Sequence, residues 1–203
     1  MTDCMEYRKL PHGDEMISVL GIGTSSLGES SEEEIIRTIH KALNAGINYI
    51  DLASGHAKTF EALGKALEGK RDQVYLQIHF GADYRSGEYG WTTDLNTIRK
   101  SVAWQLEKLK TDRIDFGFIH CIDELSDLHK IQKNGVLDEI LRLKKEGIIR
   151  HIGVSTHSPK LAEALLDLGI LDVMMFSINP AYDNAHGDYT IGENDERMNL
   201  YRR

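Results

Sequence analysis

The sequence has little cysteine, no membrane-length apolar run and no excess of positive charge. Cys4 and Cys121 are its two cysteines, so no disulfide framework and no CxxC metal knuckle can form. Such scarcity suits a reducing compartment, and the cytoplasm is the expected location. No stretch approaches the ~18 consecutive apolar residues that a membrane helix needs. The N-terminal segment MTDCMEYRKLPHGDE lacks an apolar h-region, so no signal peptide is expected. The net charge of −8 repels phosphate on average and argues against a nucleic-acid partner. Its visible basic clusters, Lys144-Lys145 and Arg202-Arg203, are short and read as solvated.

What remains is an ordinary globular composition, 41% hydrophobic and 28% charged. A chain of 203 residues suits one domain, spanning 1–203, better than two. Near-continuous apolar runs at 17–22, 47–50, 74–78, 114–119, 151–154 and 173–178 read as strands covered on both faces. Helical patterns separate them. The first opens on the capping box Ser31-Glu-Glu-Glu34, carries Ile35, Ile36, Ile39, Ala42 and Leu43, and stops at Gly46. The second carries Phe60, Leu63 and Leu67 and ends near Gly69. The third follows Thr92-Thr93 with Ile98, Val102, Leu106 and Leu109. The fourth carries Leu137, Ile140, Leu141 and Lys144 and ends at Gly147. The fifth starts from Ser158 as cap with Pro159 next, buries Leu161, Leu165 and Leu168, and ends at Gly169.

This alternation predicts a parallel sheet with right-handed crossovers. A doubly wound sheet normally carries a glycine-rich turn after its first strand, but GIGTSSLGES is not GxGxxG. Instead Asp51, His79, His120 and Ser155 end successive strands, the placement expected of a (β/α)₈ barrel whose site is built from several strand ends. A complete barrel has eight units, and about six are legible. The polar segment after Tyr182, with a possible helix over 194–203, gives no stop signal, so the barrel is expected to be incomplete at its C-terminus, with open strand edges.

Four segments, LGIGTSSLG, AGINYIDLASGH…EALGKAL, TDRIDFGFIHCID and EGIIRHIGVSTH, resemble the aldo-keto reductase family in order and spacing. The tail INPAYDNAHGDYTIGENDERMNLYRR resembles the larger bacterial branch, which often ends in an iron–sulfur module. The resemblance implies NADP(H)-dependent reduction of a small carbonyl compound on a (β/α)₈ barrel. An iron–sulfur cluster is implied only if the native chain continues beyond Arg203. The family's catalytic tetrad is Asp, Tyr, Lys and His. Its Asp falls on Asp51 and its His on His120, whereas His56 stands at the tyrosine position and His79 at the lysine position. For the cofactor, the resemblance implies Asp51, the Gly23–Thr24 loop beside the nicotinamide ribose, and Ser155 at the carboxamide, with Thr156 standing where the family has asparagine. The usual glutamine of the sixth strand is missing, with Phe176, Ser177 and Asn179 nearby.

The free side chains titrate near pH ~10 for tyrosine and ~6.5 for histidine. His56 is therefore an expected proton donor near neutral pH, with His120 polarising the carbonyl and Asp51 orienting an imidazole. Two other classes stay open. His56, His79, His120 and Asp51, with His157 nearby, are residue types that bind Zn and could form a metal-dependent hydrolase, although no HxH or HExxH is present. Alternatively the altered tetrad marks an inactive barrel or fragment that acts as a binding module. Tyr84, Tyr89 and Trp91, in the long loop after the third strand, are expected to line the mouth or plug it. Cys121 is expected to be a buried thiol turned away from His120. His12, His40, His129, His151 and His186 are expected at the surface or the core edge.

Overall fold

A computed structural model of the protein describes residues 5–176. Cys4, Ser177, Asn179, His186 and the helix expected over 194–203 lie outside the described residues.

The described chain opens with an antiparallel hairpin, β1 (Tyr7–Lys9) and β2 (Met16–Ser18). Then follow β3 (Ile22–Gly23), α1 (Glu32–Asn44), β4 (Tyr49–Asp51), α2 (Lys58–Ala66) and β5 (Tyr75–Phe80). A small hairpin, β6 (Ala82–Asp83) and β7 (Gly90–Trp91), leads to α3 (Leu95–Lys108) and β8 (Ile114–Ile119). The rest is α4 (Leu125–Lys133), α5 (Val136–Lys145), β9 (Ile149–Ser155), α6 (Pro159–Leu166) and β10 (Val173–Met175).

Six strands form one parallel sheet in the order β3-β4-β5-β8-β9-β10. That is also their chain order, with no reversal of the kind a doubly wound sheet needs at its switch point. The sheet curls one way under its helices, as part of a (β/α)₈ barrel. Among the described residues β3 and β10 are its two edges.

Register and alternation sort the side chains. Gln77 pairs with Asp51 and Phe116, and His79 with Phe118. Residues at every second position therefore share the barrel interior: Tyr49 and Asp51, Gln77 and His79, Phe116 and Phe118, Gly153 and Ser155. The intervening Ile50, Leu76, Ile78, Ile152 and Val154 are buried against the helices. The helix ends follow local chemistry. Ser31 and Glu34 form the reciprocal capping box that opens α1, and the Ser158 hydroxyl accepts from Leu161 N to open α6. Gly46, Gly69, Gly147 and Gly169, each just past a helix, have positive φ.

Three local expectations change. The apolar run 17–22 is two strands: Ser18 N–H donates to Asn48 Oδ1 and its hydroxyl to Leu20 O, which bends the chain and leaves Leu20 59% exposed. The segment before α5 holds a further helix, α4, which buries Leu128 and Ile131. In α5 the buried face is Val136, Ile140 and Leu143, while Leu141 is 41% exposed.

Gly153 has a packing role. A Cβ there would meet Phe118 ring atoms at 2.3–2.6 Å. Phe118 is completely buried beneath the His79 ring, 5.9 Å away, so it has no free space to swing into. Gly153→Ala is expected to cost about 1–3 kcal/mol by overpacking. In chemical denaturation, addition of Phe118→Leu should recover part of that loss. A double variant less stable than Gly153→Ala would count against the clash.

Candidate active site

The C-terminal ends of β4, β5 and β8 bring Asp51, His79 and His120 together. Asp51 Oδ1 accepts from His79 Nε2 at 2.7 Å and from Gln77 Nε2 at 3.0 Å. His79 Nδ1 lies 2.8 Å from His120 Nδ1, and His120 Nε2 lies 3.0 Å from the Tyr89 hydroxyl. A continuous chain thus runs Asp51–His79–His120–Tyr89. The His79 side chain is 1% exposed and that of Asp51 18%, so the chain is shielded from water at its inner end. Gln77 is held from behind by the Tyr49 hydroxyl, which donates to Gln77 Oε1 and turns the amide nitrogen towards Asp51. Gln77 Nε2 is also 3.1 Å from His79 Nε2. Both nitrogens donate to the same carboxylate oxygen, so we read that approach as a shared acceptor rather than a bond.

Asp51 fixes the protons. An aspartate carboxylate only accepts, and a neutral imidazole has one donor and one acceptor nitrogen. His79 therefore carries N–H at Nε2 and a lone pair at Nδ1. His120 donates from Nδ1, and its Nε2 accepts from Tyr89 O–H. Burial, and then the electrostatic influence of the neighbouring His79, hold the His120 imidazole down to about 3, so it is neutral near pH 7. Burial, and then the neighbouring Cys121 thiol, push the Tyr89 phenol up, so it keeps its proton there. The Trp91 indole donates to His120 O at 3.2 Å and anchors that backbone.

His56 stands apart from this chain. Its Nε2 is 3.1 Å from Glu29 Oε1, its backbone N–H donates to Ser54 Oγ, and its ring covers Gly28 so closely that a Cβ there would clash. His157 pairs with Asp123, Nδ1 to Oδ2 at 2.8 Å. Among the described residues no three or more of His, Cys, Asp and Glu are arranged to hold a metal ion. Cys121 is half-buried and faces the site, contrary to expectation. The strand ends at Ile119 and Cys121 has φ +48, so strand alternation no longer applies; Sγ lies 3.5 Å from His120 Nε2. His151 is also deeper than expected: it is buried, stacks on Phe116 and lies 3.2 Å from Glu15.

The residues expected around a cofactor divide in two. A Cβ on Gly23 would meet nothing within 4 Å, so the end of β3 has an open side. Ser155 Oγ accepts from Cys121 N–H at 3.0 Å and keeps its own proton to donate. Thr24 and Thr156 are buried, with hydroxyls that donate to Asp51 O and Ile122 O. They shape the loops. Sequence reasoning missed Gln77 and Tyr49. The available signal was a polar residue two positions before His79 in an apolar strand, hence on the same face.

Residues 19–184 match the aldo/keto reductase family. The chain is 31% identical over 178 residues to the oxidoreductase YqkF of Bacillus subtilis, covering 84% of this chain and 56% of that protein. It is 33% identical over 163 residues to the aldo-keto reductase YhdN of the same organism, covering 76% and 48%. A solved aldo-keto reductase of Bacillus halodurans, in its holo form, superposes with a TM-score of 0.72 at 25% identity, covering 94% of this chain and 64% of that one. The chain thus spans about half the length of the curated relatives it matches. No helix among the described residues is long and apolar enough to cross a membrane.

Proposed function

The chain belongs to the aldo/keto reductase family of oxidoreductases, and on that premise we propose that it reduces a small carbonyl compound with NADP(H) at the strand ends that carry Asp51, His79 and His120, with His56 on the loop after β4. The observation that carries this reading is the unbroken hydrogen-bond chain from Asp51 through His79 to His120. Carbonyl reduction needs a proton delivered to oxygen as carbon gains hydride, and buried imidazoles beside a carboxylate can hold and pass one. His79 occupies the position of the family's lysine. With a proton added at Nδ1, His79 beside Asp51 would supply the cation that a lysine otherwise would.

The open side of Gly23 and the donor hydroxyl of Ser155 fit the nicotinamide end of the cofactor. A bound reduced nicotinamide would supply the hydride. Ser155 would donate to its carboxamide, and the buried Thr24 hydroxyl, which donates to Asp51 O, holds the β3 loop in place beside Gly23. His120 is 8% exposed, with Nδ1 on His79 and Nε2 on the Tyr89 hydroxyl, so it links the buried imidazole to the mouth.

Titration with NADPH, and with NADH for comparison, followed by nucleotide fluorescence, tests cofactor binding. Loss of reduced-nucleotide absorbance with a panel of small aldehydes tests turnover. His79→Ala is expected to lower kcat/KM by about 10²-fold or more with nucleotide affinity little changed. Absence of nucleotide binding by the unmutated protein would defeat the reading.

A further inference from the structure

The loop after β4, where the family's tyrosine belongs, is zipped to the loop between β6 and β7. Ala57 N–H donates to Gly87 O at 2.8 Å, Tyr89 N–H donates to Gly55 O at 3.0 Å, and His56 and Glu88 form an antiparallel bridge between them. Gly87, at φ +106, makes the turn this pairing needs. The zipper brings a tyrosine to the mouth from a different strand end. Tyr89 is 45% exposed, and its hydroxyl sits on His120 Nε2. The hydroxyl of a half-exposed side chain is thus in direct contact with the buried imidazoles.

We propose that Tyr89, rather than His56, delivers the proton to the carbonyl oxygen, and that His120, His79 and Asp51 store and resupply it. The proposal rests on the carbonyl-reductase reading above. At rest every donor points inward, Tyr89 to His120, His120 to His79 and His79 to Asp51, and no proton faces the mouth. One added proton on His79, held against the Asp51 carboxylate, reverses the chain. His79 then donates from both nitrogens. His120 accepts at Nδ1 and donates from Nε2 to the Tyr89 oxygen, and the Tyr89 O–H turns out to the substrate.

The step balances. Hydride from the reduced nicotinamide dinucleotide adds to the carbonyl carbon, and the C=O π pair moves to oxygen, which takes the proton of Tyr89. The Tyr89 oxygen takes the proton of His120 Nε2, and His120 Nδ1 takes that of His79 Nδ1. Carbonyl, hydride and one proton give the alcohol, and His79 is left neutral with the chain in its resting direction. The depressed basicity of His120 suits a group that passes a proton without keeping it. The groups facing the relay are the Asp51 carboxylate, the Gln77 amide and the Cys121 thiol, with the Asp123–His157 pair beyond it.

The test compares the unmutated protein, Tyr89→Phe and His56→Gln in two measurements. In aldehyde reduction, Tyr89→Phe is expected to lower kcat by about 10²–10⁴-fold, at least tenfold more than His56→Gln, with NADPH affinity preserved. In nitrogen-15 spectra of the nucleotide-free protein, His79 is expected protonated on Nε2 and His120 on Nδ1, with the His120 Nε2 resonance moving in Tyr89→Phe. A Tyr89→Phe enzyme within about threefold of the parent, or an unmoved His120 Nε2 resonance, overturns this assignment alone. An unmutated protein that neither binds NADPH nor reduces any aldehyde overturns the reductase reading with it. Should the phenylalanine variant misfold, a fluorinated tyrosine at 89, a more acidic phenol, must move the alkaline limb of kcat to lower pH; an unmoved limb refutes the role.

Discussion

Asp51→Asn is expected to lower kcat for carbonyl reduction by about 10²–10⁴-fold while nucleotide affinity and fold stay close to those of the parent. The amide oxygen of asparagine can still accept from His79 Nε2 and Gln77 Nε2, so both hydrogen bonds at Oδ1 survive. What disappears is a full negative charge 2.7 Å from an imidazole that must hold an extra proton during turnover. At an effective dielectric of about 20, a unit pair at that separation interacts by roughly 6 kcal/mol. Partial solvation of Asp51, whose side chain is 18% exposed, reduces that figure. A surviving loss of about 3–5 kcal/mol corresponds to the stated range of rates. Steady-state kinetics, nucleotide titration and imidazole nitrogen spectra should be measured on one preparation. Unaltered histidine tautomers with a collapsed kcat separate loss of charge from loss of geometry. An asparagine variant within tenfold of the parent means that the carboxylate is not a partner to a charged imidazole.

Asp51, His79 and His120 were legible in the sequence because each is a polar residue at the end of an apolar run, and parallel strands with helical crossovers bring such ends to one face. The helices were legible from their ends, Ser31 and Ser158 at the starts and Gly46, Gly69, Gly147 and Gly169 past the stops. What stayed hidden has a common physical character. Apolarity over 17–22 does not distinguish a barrel strand from a hairpin, and the difference lay in long-range bonds from Ser18 to Asn48. The helix α4 is short, with Leu125 exposed, so it buries too little for a clear period. Tyr89 reaches His120 through backbone pairing of two loops, Ala57 to Gly87 and Tyr89 to Gly55, and backbone pairing leaves no side-chain pattern to read. The direction of the proton chain was beyond sequence as well, since it follows from which atoms lie within bonding distance of an acceptor-only carboxylate.

The base of the barrel carries the largest expected effect on stability: Asp115→Ala should cost about 3 kcal/mol, because it strands two buried donors at once. Asp115 Oδ2 accepts from Arg71 Nη2 at 2.8 Å and from Leu76 N–H at 2.9 Å. Leu76 lies one residue before β5 begins to pair with β8, so the carboxylate stands in for a missing strand neighbour. The Arg71 and Asp115 side chains are 14% and 8% exposed, which makes this a buried pair rather than a surface one. Removing one partner of such a pair costs about 3–5 kcal/mol, mostly through the charge left behind. Arg71 retains acceptors at Val74 O, Arg113 O and Thr111 Oγ1, which puts the expected cost at the lower end. For a chain of this size the melting temperature should fall by roughly 6–12 °C. Asp115→Asn keeps an acceptor for Leu76 N–H and loses only the charge, so its cost should be about half as large. Replacing both partners, as Arg71→Met with Asp115→Leu, removes the stranded charge and should recover stability relative to Asp115→Ala. If Asp115→Ala melts within about 2 °C of the parent, the pair contributes no more than a surface ion pair and the clamp between the β5 entrance and β8 is not what holds this end of the sheet together.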